Sequence, residues 1–162
     1  MLTCRYSLKA VKLYTDLRKV NHIMTLEALA SPSTTQKILS EAGKQWAHRE
    51  MVLKNGTLKI NWGKQGKHII GDKNYITNSN KSIWGCSVEK TQSLIDTYAG
   101  TGRRARNSLV EIPGKAGYQE VVNFEEFIGW VVDKETGKSL ATTWGKIHYA
   151  KNGIHIVPYL PK

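Results

Sequence analysis

The 162-residue sequence predicts an α+β domain in which helices come first and an antiparallel sheet follows. Two patterns predict it: apolar residues recur at helical spacing up to about residue 55, and short alternating segments joined by turns occupy the region after residue 119. Hydrophobic residues make up 40% of the chain, which is typical of a folded domain and not of a disordered one. We therefore expect N-terminal helices packed on an antiparallel meander.

Two helices are predicted before residue 55. The first carries apolar residues at roughly helical spacing: Leu8, Val11, Leu13, Leu17, Val20, Ile23 and Met24. The segment SPSTTQ (31–36) interrupts the pattern, and a second helix runs from there through Trp46 towards Met51 and ends at Asn55-Gly56. We divide the chain into a helical segment, 1–55, and a second part, 56–162. The helices either form a layer on the sheet, which we favour, or serve as a linker or delivery element.

The middle of the chain mixes short elements. TLKIN (57–61) alternates like a strand, and WGKQGKHIIGDKNY (62–75) is predicted as a glycine- and lysine-rich loop. SVEKTQSLIDTYAG (87–100) predicts a helix that Ser87 caps and Gly100 ends, with Val88, Leu94, Ile95 and Tyr98 as its apolar face. TGRRARN (101–107) follows as a basic loop.

The last third predicts the meander. Its strands are QEVVNF (119–124), FIGWVVD (127–133), SLATTWGKIHYA (139–150) and IHIVPY (154–159), and Asn152-Gly153 joins the last two.

The charge of the chain limits the classes of partner. A net charge of +11 and a pI near 9.7 favour a phosphate-rich partner, nucleic acid first. No apolar run is long enough to span a membrane, and no three-part signal peptide is recognisable. Cys4 and Cys86 form no CxxC, so neither a disulfide framework nor a structural zinc site is indicated. No cofactor and no metal site are predicted.

The final hairpin brings two histidines to one face of the sheet. If Asn152-Gly153 is a two-residue loop, Ala150 lies opposite His155 and His148 lies opposite Val157. The two histidines are then diagonal neighbours, on the side away from a core face of Ile147, Tyr149, Ile154 and Ile156. Small Ala150 between them leaves room for a ligand.

Paired imidazoles with lysines nearby suit metal-free RNA cleavage. A neutral histidine removes the 2′-hydroxyl proton, a protonated one donates to the leaving oxygen, and cations stabilise the charge on phosphorus. Histidines on strands are also common as ordinary surface or hydrogen-bonding residues. A second cluster of Lys64, Lys67, His68 and Lys73 lies in KQGKHIIGDKNY, which matches neither a Walker loop nor a dinucleotide fingerprint and is by itself compatible with a solvated lysine-rich loop.

Four segments together resemble a known family. INWGKQGKHIIGDKNY, LIDTYAGTG, IGWVVDKETGK and GKIHYAKNGIHIVP are similar, in order, to motifs of the polymorphic toxin type 50 domain, over about residues 57–159. That domain lies at the C-termini of bacterial secreted toxins and of some phage head-morphogenesis proteins. The resemblance implies a ribonuclease of the Barnase–EndoU–colicin–RelE class, with helices on a twisted antiparallel sheet and no metal in its chemistry.

The resemblance also implies site residues and partners. The matching positions are Lys67, His68, Thr101, His148, Tyr149 and His155. On this basis His68 is the expected general base, Lys67 binds phosphate, and either His148 or His155 is the acid. Tyr149 could equally be a core residue. Backbone phosphates would be bound by the basic side chains Lys64, Lys73, Arg103, Arg104, Arg106, Lys146 and Lys151.

The expected substrate is RNA, with tRNA as a candidate, and the expected partner is an acidic immunity protein. The toxin would be secreted or delivered into the cytoplasm of a target cell; otherwise the protein would be associated with a phage or with the cytoplasm of its own cell. Two other functions fit the same sequence: a non-catalytic nucleic-acid-binding module, or a phage structural protein that contacts packaged DNA.

Overall fold

The computed structural model describes residues 32–77, 81–133 and 135–161. Its helical elements are α1 (Pro32–Asn55), α2 (Trp62–Gln65), a 3-10 turn (Gly66–His68) and α3 (Val88–Tyr98). Its strands are β1 (Ile83–Trp84), β2 (Arg103–Arg104), β3 (Gln119–Asn123), β4 (Gly129–Val132), β5 (Ser139–Thr142), β6 (Trp144–Ala150) and β7 (Gly153–Pro158). The first predicted helix lies outside the described residues. The α+β class is confirmed.

The strands form two antiparallel sheets in place of one meander. One sheet has the order β1-β4-β5 and the other has the order β2-β3-β6-β7. The predicted strand 139–150 is divided at Thr143, so β5 pairs with β4 while β6 pairs with β3 and β7. The hydroxyl of Thr142 fixes this break, because it accepts from Trp144 N at 2.9 Å and donates to the Tyr159 carbonyl at 2.9 Å. A side chain that bonds the nearby backbone competes with the strand ladder.

The segment before β1 differs from its prediction. TLKIN forms no strand and contributes a single parallel bridge, Ile60 to Ile154. The predicted loop at 62–75 contains α2 and the 3-10 turn, and Asn61 caps α2 by accepting from Lys64 N. The predicted basic loop at 101–107 contains β2, which pairs with β3.

The core lies between α3 and the four-stranded sheet. Leu94 and Ile95 of α3 are buried with Ile147, Ile154 and Ile156 of the hairpin. Ser87 caps α3 as predicted, accepting from Lys90 N at 3.2 Å. The predicted apolar face was wrong at Val88, which is 55% exposed because it lies at the first position of the helix.

The chain divides into two compact units, Met1–Lys44 and Gln45–Lys162. The boundary between these units falls within α1. In the second unit, Val52 is fully buried in the core, and Arg49 donates to the carbonyls of Thr97 and Ala99 at 2.8 and 3.0 Å. The boundary at residue 55 that the sequence suggests stays a prediction. Among the described residues, no helix combines the length and the apolar character needed to cross a membrane.

Candidate active site

Three histidines from two distant parts of the sequence meet on one face of the four-stranded sheet. The His148 and His155 rings are 4.6 Å apart between centroids, and the His68 ring stacks on His155 at 6.3 Å with an interplanar angle of 18°. His155 therefore lies between the other two. The structure thus brings the KQGKH segment against the hairpin, as the sequence predicted.

The hairpin register differs from the prediction by two residues. His148 lies directly opposite His155, and Ala150 lies opposite Gly153, so the loop consists of Lys151 and Asn152. A shift of two residues keeps every side chain on its face, because side chains alternate with period two. The predicted division into a histidine face and an isoleucine face therefore holds in spite of the wrong register.

Residues 59–65 bring His68 to the hairpin by following the edge of β7. Ile154 exchanges backbone hydrogen bonds with this segment, donating to the Lys59 carbonyl and accepting from Asn61 N, each at 2.7 Å. Gly153 has a φ of +117°, and a Cβ there would collide with the Lys59 carbonyl oxygen, so only glycine permits the approach. The segment thus takes the place of an additional edge strand over two residues.

Gln65 completes this attachment. Its side chain is fully buried, donates to the Ile156 carbonyl at 3.1 Å and accepts from Ile156 N at 2.8 Å. A side-chain amide that pairs with both backbone groups of one strand residue satisfies all the polar atoms involved. Because Gln65 is anchored beside His155, the following 3-10 turn places His68 against that ring.

The hydrogen bond of His68 determines which ring nitrogen carries its proton. Its Nδ1 lies 2.8 Å from the Ser82 carbonyl oxygen, which can only accept. Nδ1 is therefore the donor, and in the neutral ring Nε2 keeps its lone pair. Burial lowers the pKa of His68, so the neutral ring is favoured. A neutral imidazole with a fixed tautomer is suited to accept a proton.

The other two histidines are even less basic. Burial is the main cause that lowers the pKa of His148 to about 4 and that of His155 to about 3. Cations add to the effect: Lys146 and Lys64 act on His148, and Lys64 and Lys67 act on His155. Positive charge around neutral imidazoles favours an anionic ligand, which would offset the lysine charge.

Two polar atoms beside this cluster have no hydrogen-bond partner in the described part of the chain. They are His155 Nδ1 and Gln119 Oε1, both buried. Gln119 lies opposite His148 in the β3–β6 ladder, so the two atoms flank that histidine. Buried polar groups are normally satisfied, and exceptions are frequent where a ligand supplies the missing partner.

The histidines form one wall of an open groove of about 680 Å³. Its other lining residues include Ser82, Asn107, Lys146, Tyr159 and apolar side chains from β4 and the C-terminal segment. Lys146 reaches into it, with Nζ 3.4 Å from Asn107 Oδ1 and 4.2 Å from the centroid of the Tyr159 ring. The groove is open to solvent, so the imidazoles can be reached from outside.

Thr101 and Tyr149 lie away from this groove. Tyr149 is on the isoleucine face of β6, where its hydroxyl donates to the buried carboxyl group of Glu120. Thr101 Oγ1 donates to the Tyr98 carbonyl at 2.8 Å, and Thr101 N also contacts that carbonyl. Of the predicted catalytic set, the structure therefore brings together the three histidines, and exposed Lys67 is near enough for its charge to act on His68 and His155.

The predicted phosphate-binding residues differ in their surroundings. Arg103 lies opposite Val121, which in turn lies opposite Lys146, so both cations are on the histidine face. Arg104 is engaged elsewhere, donating to the Ser108 carbonyl at 3.2 Å. The remaining members of the predicted set are exposed: Lys64, Lys73, Arg106 and Lys151.

Several residues of the site were missed by sequence reasoning. Gln65, Ser82, Asn107, Gln119 and Tyr159 are single polar or aromatic residues in unremarkable contexts, and no periodicity or spacing marks them. Lys81, whose charge helps to lower the pKa of His68, also went unnoticed. In the described ranges, no group of three or more histidine, cysteine or acidic residues is placed to hold a metal ion.

Comparison with known proteins identifies the family. Residues 60–158 match the family Bacterial toxin 50, a stretch that contains all three histidines. The match covers more than half of the chain, and the chain therefore belongs to the Bacterial toxin 50 family of polymorphic toxin domains. No curated protein sequence matches the chain.

Proposed function

We propose that this toxin domain is a metal-independent endoribonuclease of the Barnase–EndoU–colicin–RelE class. The observation that carries the proposal is the meeting of His68, His148 and His155 in an open groove that Lys146 lines. Lys64 and Lys67 are near enough for their charges to act on His155. Acid–base cleavage of RNA needs a proton acceptor and a proton donor on either side of one phosphate, and cations that hold it. This cluster supplies all three.

His68 is the general base in this mechanism. Its Nε2 accepts the 2′-hydroxyl proton while O2′ forms a bond to phosphorus, and the hydrogen bond to Ser82 holds the ring in the required tautomer. The non-bridging oxygens of the phosphate are bound by Lys67, which immediately precedes His68, and by Lys64, as negative charge develops on them.

His148 is the general acid. As the bond from phosphorus to O5′ breaks, protonated His148 gives its proton to O5′, leaving a 2′,3′-cyclic phosphate and a 5′-hydroxyl. His148 and not His155 has this role because His155 stacks directly on the general base, His68, at 6.3 Å between ring centroids. A phosphate charge about 4 Å away at an effective dielectric constant of about 20 contributes about 4 kcal/mol, enough to raise a pKa by about three units. His155 lies between acid and base and contacts the phosphate.

Thr101 and Tyr149 support the fold behind this site and do not touch the substrate. Tyr149 occupies the strand position next to His148 and is tied to Glu120 on the opposite face. Arg103, Lys73, Arg106 and Lys151 bind phosphates away from the scissile bond and contribute mainly to affinity.

The biological proposal follows from the family and the charge. The toxin is delivered into the cytoplasm of a target cell and cleaves RNA there, with tRNA as the first substrate to test. An immunity protein with an acidic surface neutralises it in the producing cell, since the toxin carries a net charge of +11.

The decisive experiment uses purified protein and a short RNA in EDTA. We expect cleavage that yields 2′,3′-cyclic phosphate ends. An otherwise identical RNA with a single 2′-deoxy substitution at the cut site should remain intact, because it lacks the nucleophile. Cleavage of the substituted RNA, or a strict need for a divalent cation, would refute the mechanism.

A further inference from the structure

We propose that the groove also contains a subsite for one unpaired nucleobase beside the scissile phosphate, with Tyr159 as its stacking platform. The proposal rests on the ribonuclease function and adds the class of substrate: RNA whose bases are not paired at the cut site.

The strand register places the subsite four residues beyond His155 along the chain, on the same face of the sheet. His148 lies opposite His155, and Lys146 lies opposite Val157. Tyr159 extends this ladder, because its N–H donates to the Trp144 carbonyl at 2.9 Å. Residues two apart on a strand share a face, so Tyr159 follows His155 and Val157 on the histidine side, about 13 Å from His155 along the backbone. Both His155 and Tyr159 line the same groove, so an RNA strand lying in it can contact both.

The chemistry of this end of the groove suits a base better than a phosphate. The groove is lined by Val131, Val157, Leu160 and Pro161, which offer apolar surface to the flat face of a base, and by Asp133, whose carboxylate would repel a phosphate. A phosphate would gain nothing from these side chains. Bases of every kind stack on aromatic rings, and such contacts are frequent in proteins that bind single-stranded nucleic acid.

Lys146 and Asn107 prepare the platform. Lys146 Nζ lies over the Tyr159 ring, 4.2 Å from its centroid, a cation–π contact that holds the ring in place. In the proposed subsite the base stacks on the opposite face of the ring. Asn107 accepts a hydrogen bond from the same Lys146 ammonium group through its side-chain oxygen, at 3.4 Å. Its amide nitrogen is then the donor available for an acceptor on the edge of the base.

This subsite excludes paired RNA. A base in a duplex is stacked between its neighbours, and its edge is occupied by its partner, so it cannot enter the groove without being extruded. Loops, bulges and single strands should therefore be cleaved, and a fully paired duplex of the same sequence should not.

The test measures binding, which keeps it separate from catalysis. The wild-type protein is titrated with a fluorescent RNA pentamer that carries a 2′-deoxy substitution at the cut site and so stays intact. Two further pentamers lack the base on the 5′ or on the 3′ side of the phosphate at the cut site. We expect one of these two to bind about tenfold more weakly than the parent. Equal affinities for all three would overturn the proposal without any variant being needed.

Tyr159→Ala assigns the effect to the platform. In this variant the parent pentamer should bind about as weakly as the affected abasic one, and the difference between the two should disappear. Tyr159→Leu, which keeps apolar bulk, serves if the alanine variant does not fold. Phe127→Ala is the matched control, since Phe127 packs against Trp130 and is outside the groove. An abasic effect that persists in Tyr159→Leu would refute the role of Tyr159.

Failure of the subsite and failure of the ribonuclease proposal give different results. Cleavage of RNA with no abasic effect would leave the catalytic proposal standing and remove the subsite. If the abasic pentamer bound more weakly but the protein cleaved no RNA, the subsite would stand and the catalytic proposal would be refuted.

Discussion

The two faces of the β6–β7 hairpin differ in whether their buried polar groups are hydrogen-bonded. On the core face, Ile147, Ile154 and Ile156 are fully buried around one carboxyl group, Glu120, and every oxygen of that group is hydrogen-bonded. On the other face, His155 Nδ1 is buried with no partner among the described residues. Satisfied polar groups hold a fold together, whereas unsatisfied ones at a groove indicate a ligand.

The Glu120 network connects three elements. Its carboxylate accepts from Gly100 N at 2.8 Å, from Gly102 N at 3.1 Å and from the Tyr149 hydroxyl. His48 of α1 closes the network, with Nδ1 donating to the Gly100 carbonyl and Nε2 2.7 Å from the Tyr118 hydroxyl. Tyr149, which the sequence placed in the catalytic set, belongs to this structural network.

The largest effect should come from removing one histidine from the groove. We expect His68→Ala to reduce RNA cleavage by about 10²–10⁴-fold, or about 3–5 kcal/mol in transition-state stabilisation, because the general base is lost. Its free energy of unfolding should fall by only about 1 kcal/mol, because the ring makes one hydrogen bond, to the Ser82 carbonyl. The measurement is the initial cleavage rate of a short RNA together with a thermal melt.

His48→Ala is the matched control for that experiment. It removes the same side chain from the core side, where the ring bonds Gly100 and Tyr118. Stability should fall by about 1–3 kcal/mol while the cleavage rate of the folded protein stays near wild type. If His48→Ala lost activity and His68→Ala kept it, the assignment of the two faces would be reversed.

Breaking the carboxyl network should have the next largest effect. Glu120→Ala leaves two backbone N–H groups and the Tyr149 hydroxyl without their acceptor, and we expect a loss of about 3 kcal/mol or more in the free energy of unfolding. Glu120→Gln retains one acceptor oxygen and should recover most of that loss. The free energies of unfolding of both variants are measured in urea. Equal values for Glu120→Ala and Glu120→Gln would refute the proposed role of the network.

Sequence patterns predicted the faces of the hairpin better than its partners. Alternation placed Ile154 and Ile156 on the core side and His155 on the other, and a two-residue register error left this unchanged. The division of 139–150 into two strands was missed, since it depends on Thr142 bonding Tyr159 seventeen positions away. Hydrophobic periodicity carries no information about such a contact.

The candidate site was predicted in part, for a comparable reason. The histidines were found because imidazoles are rare and chemically informative, and the family motifs linked His68 to the hairpin. Gln65, which makes that link physically, is a polar residue whose burial depends on reaching Ile156, ninety-one positions along the chain. A buried glutamine in a lysine-rich segment has no local signature.

The pH dependence of stability should also distinguish the two faces. His148 and His155 have pKa values of about 4 and about 3 in the fold against 6.5 for the free side chain, so the unfolded chain binds more protons below pH 6.5. The stability that they contribute is fully present above pH 6.5 and is lost progressively as the pH falls from 6.5 towards 4. Burial raises the pKa of Glu120, whose contribution has the opposite sign.

Unfolding free energies from pH 7 to pH 4.5 test this, for the wild type and for a His148→Ala, His155→Ala double variant. The Glu120 contribution is common to both proteins, so the difference between the two slopes isolates the histidines. Added phosphate should reduce the wild-type slope, because an anion in the groove favours the protonated rings. Identical slopes in the two proteins would show that the histidines titrate normally.

The smallest effect should come from the exposed cations at the rim of the site. We expect Lys67→Gln to weaken binding of an uncleaved RNA by about three- to tenfold at low salt and to reduce the slope of log affinity against log salt by about one. Lys90→Gln is the control, because Lys90 pairs with Glu126 at 2.7 Å on the surface and takes no part in the groove. It should change affinity and salt slope much less. If the two variants had equal effects, the positive charge of the chain would act as a general attraction for RNA, and Lys67 would have no special position beside the histidines.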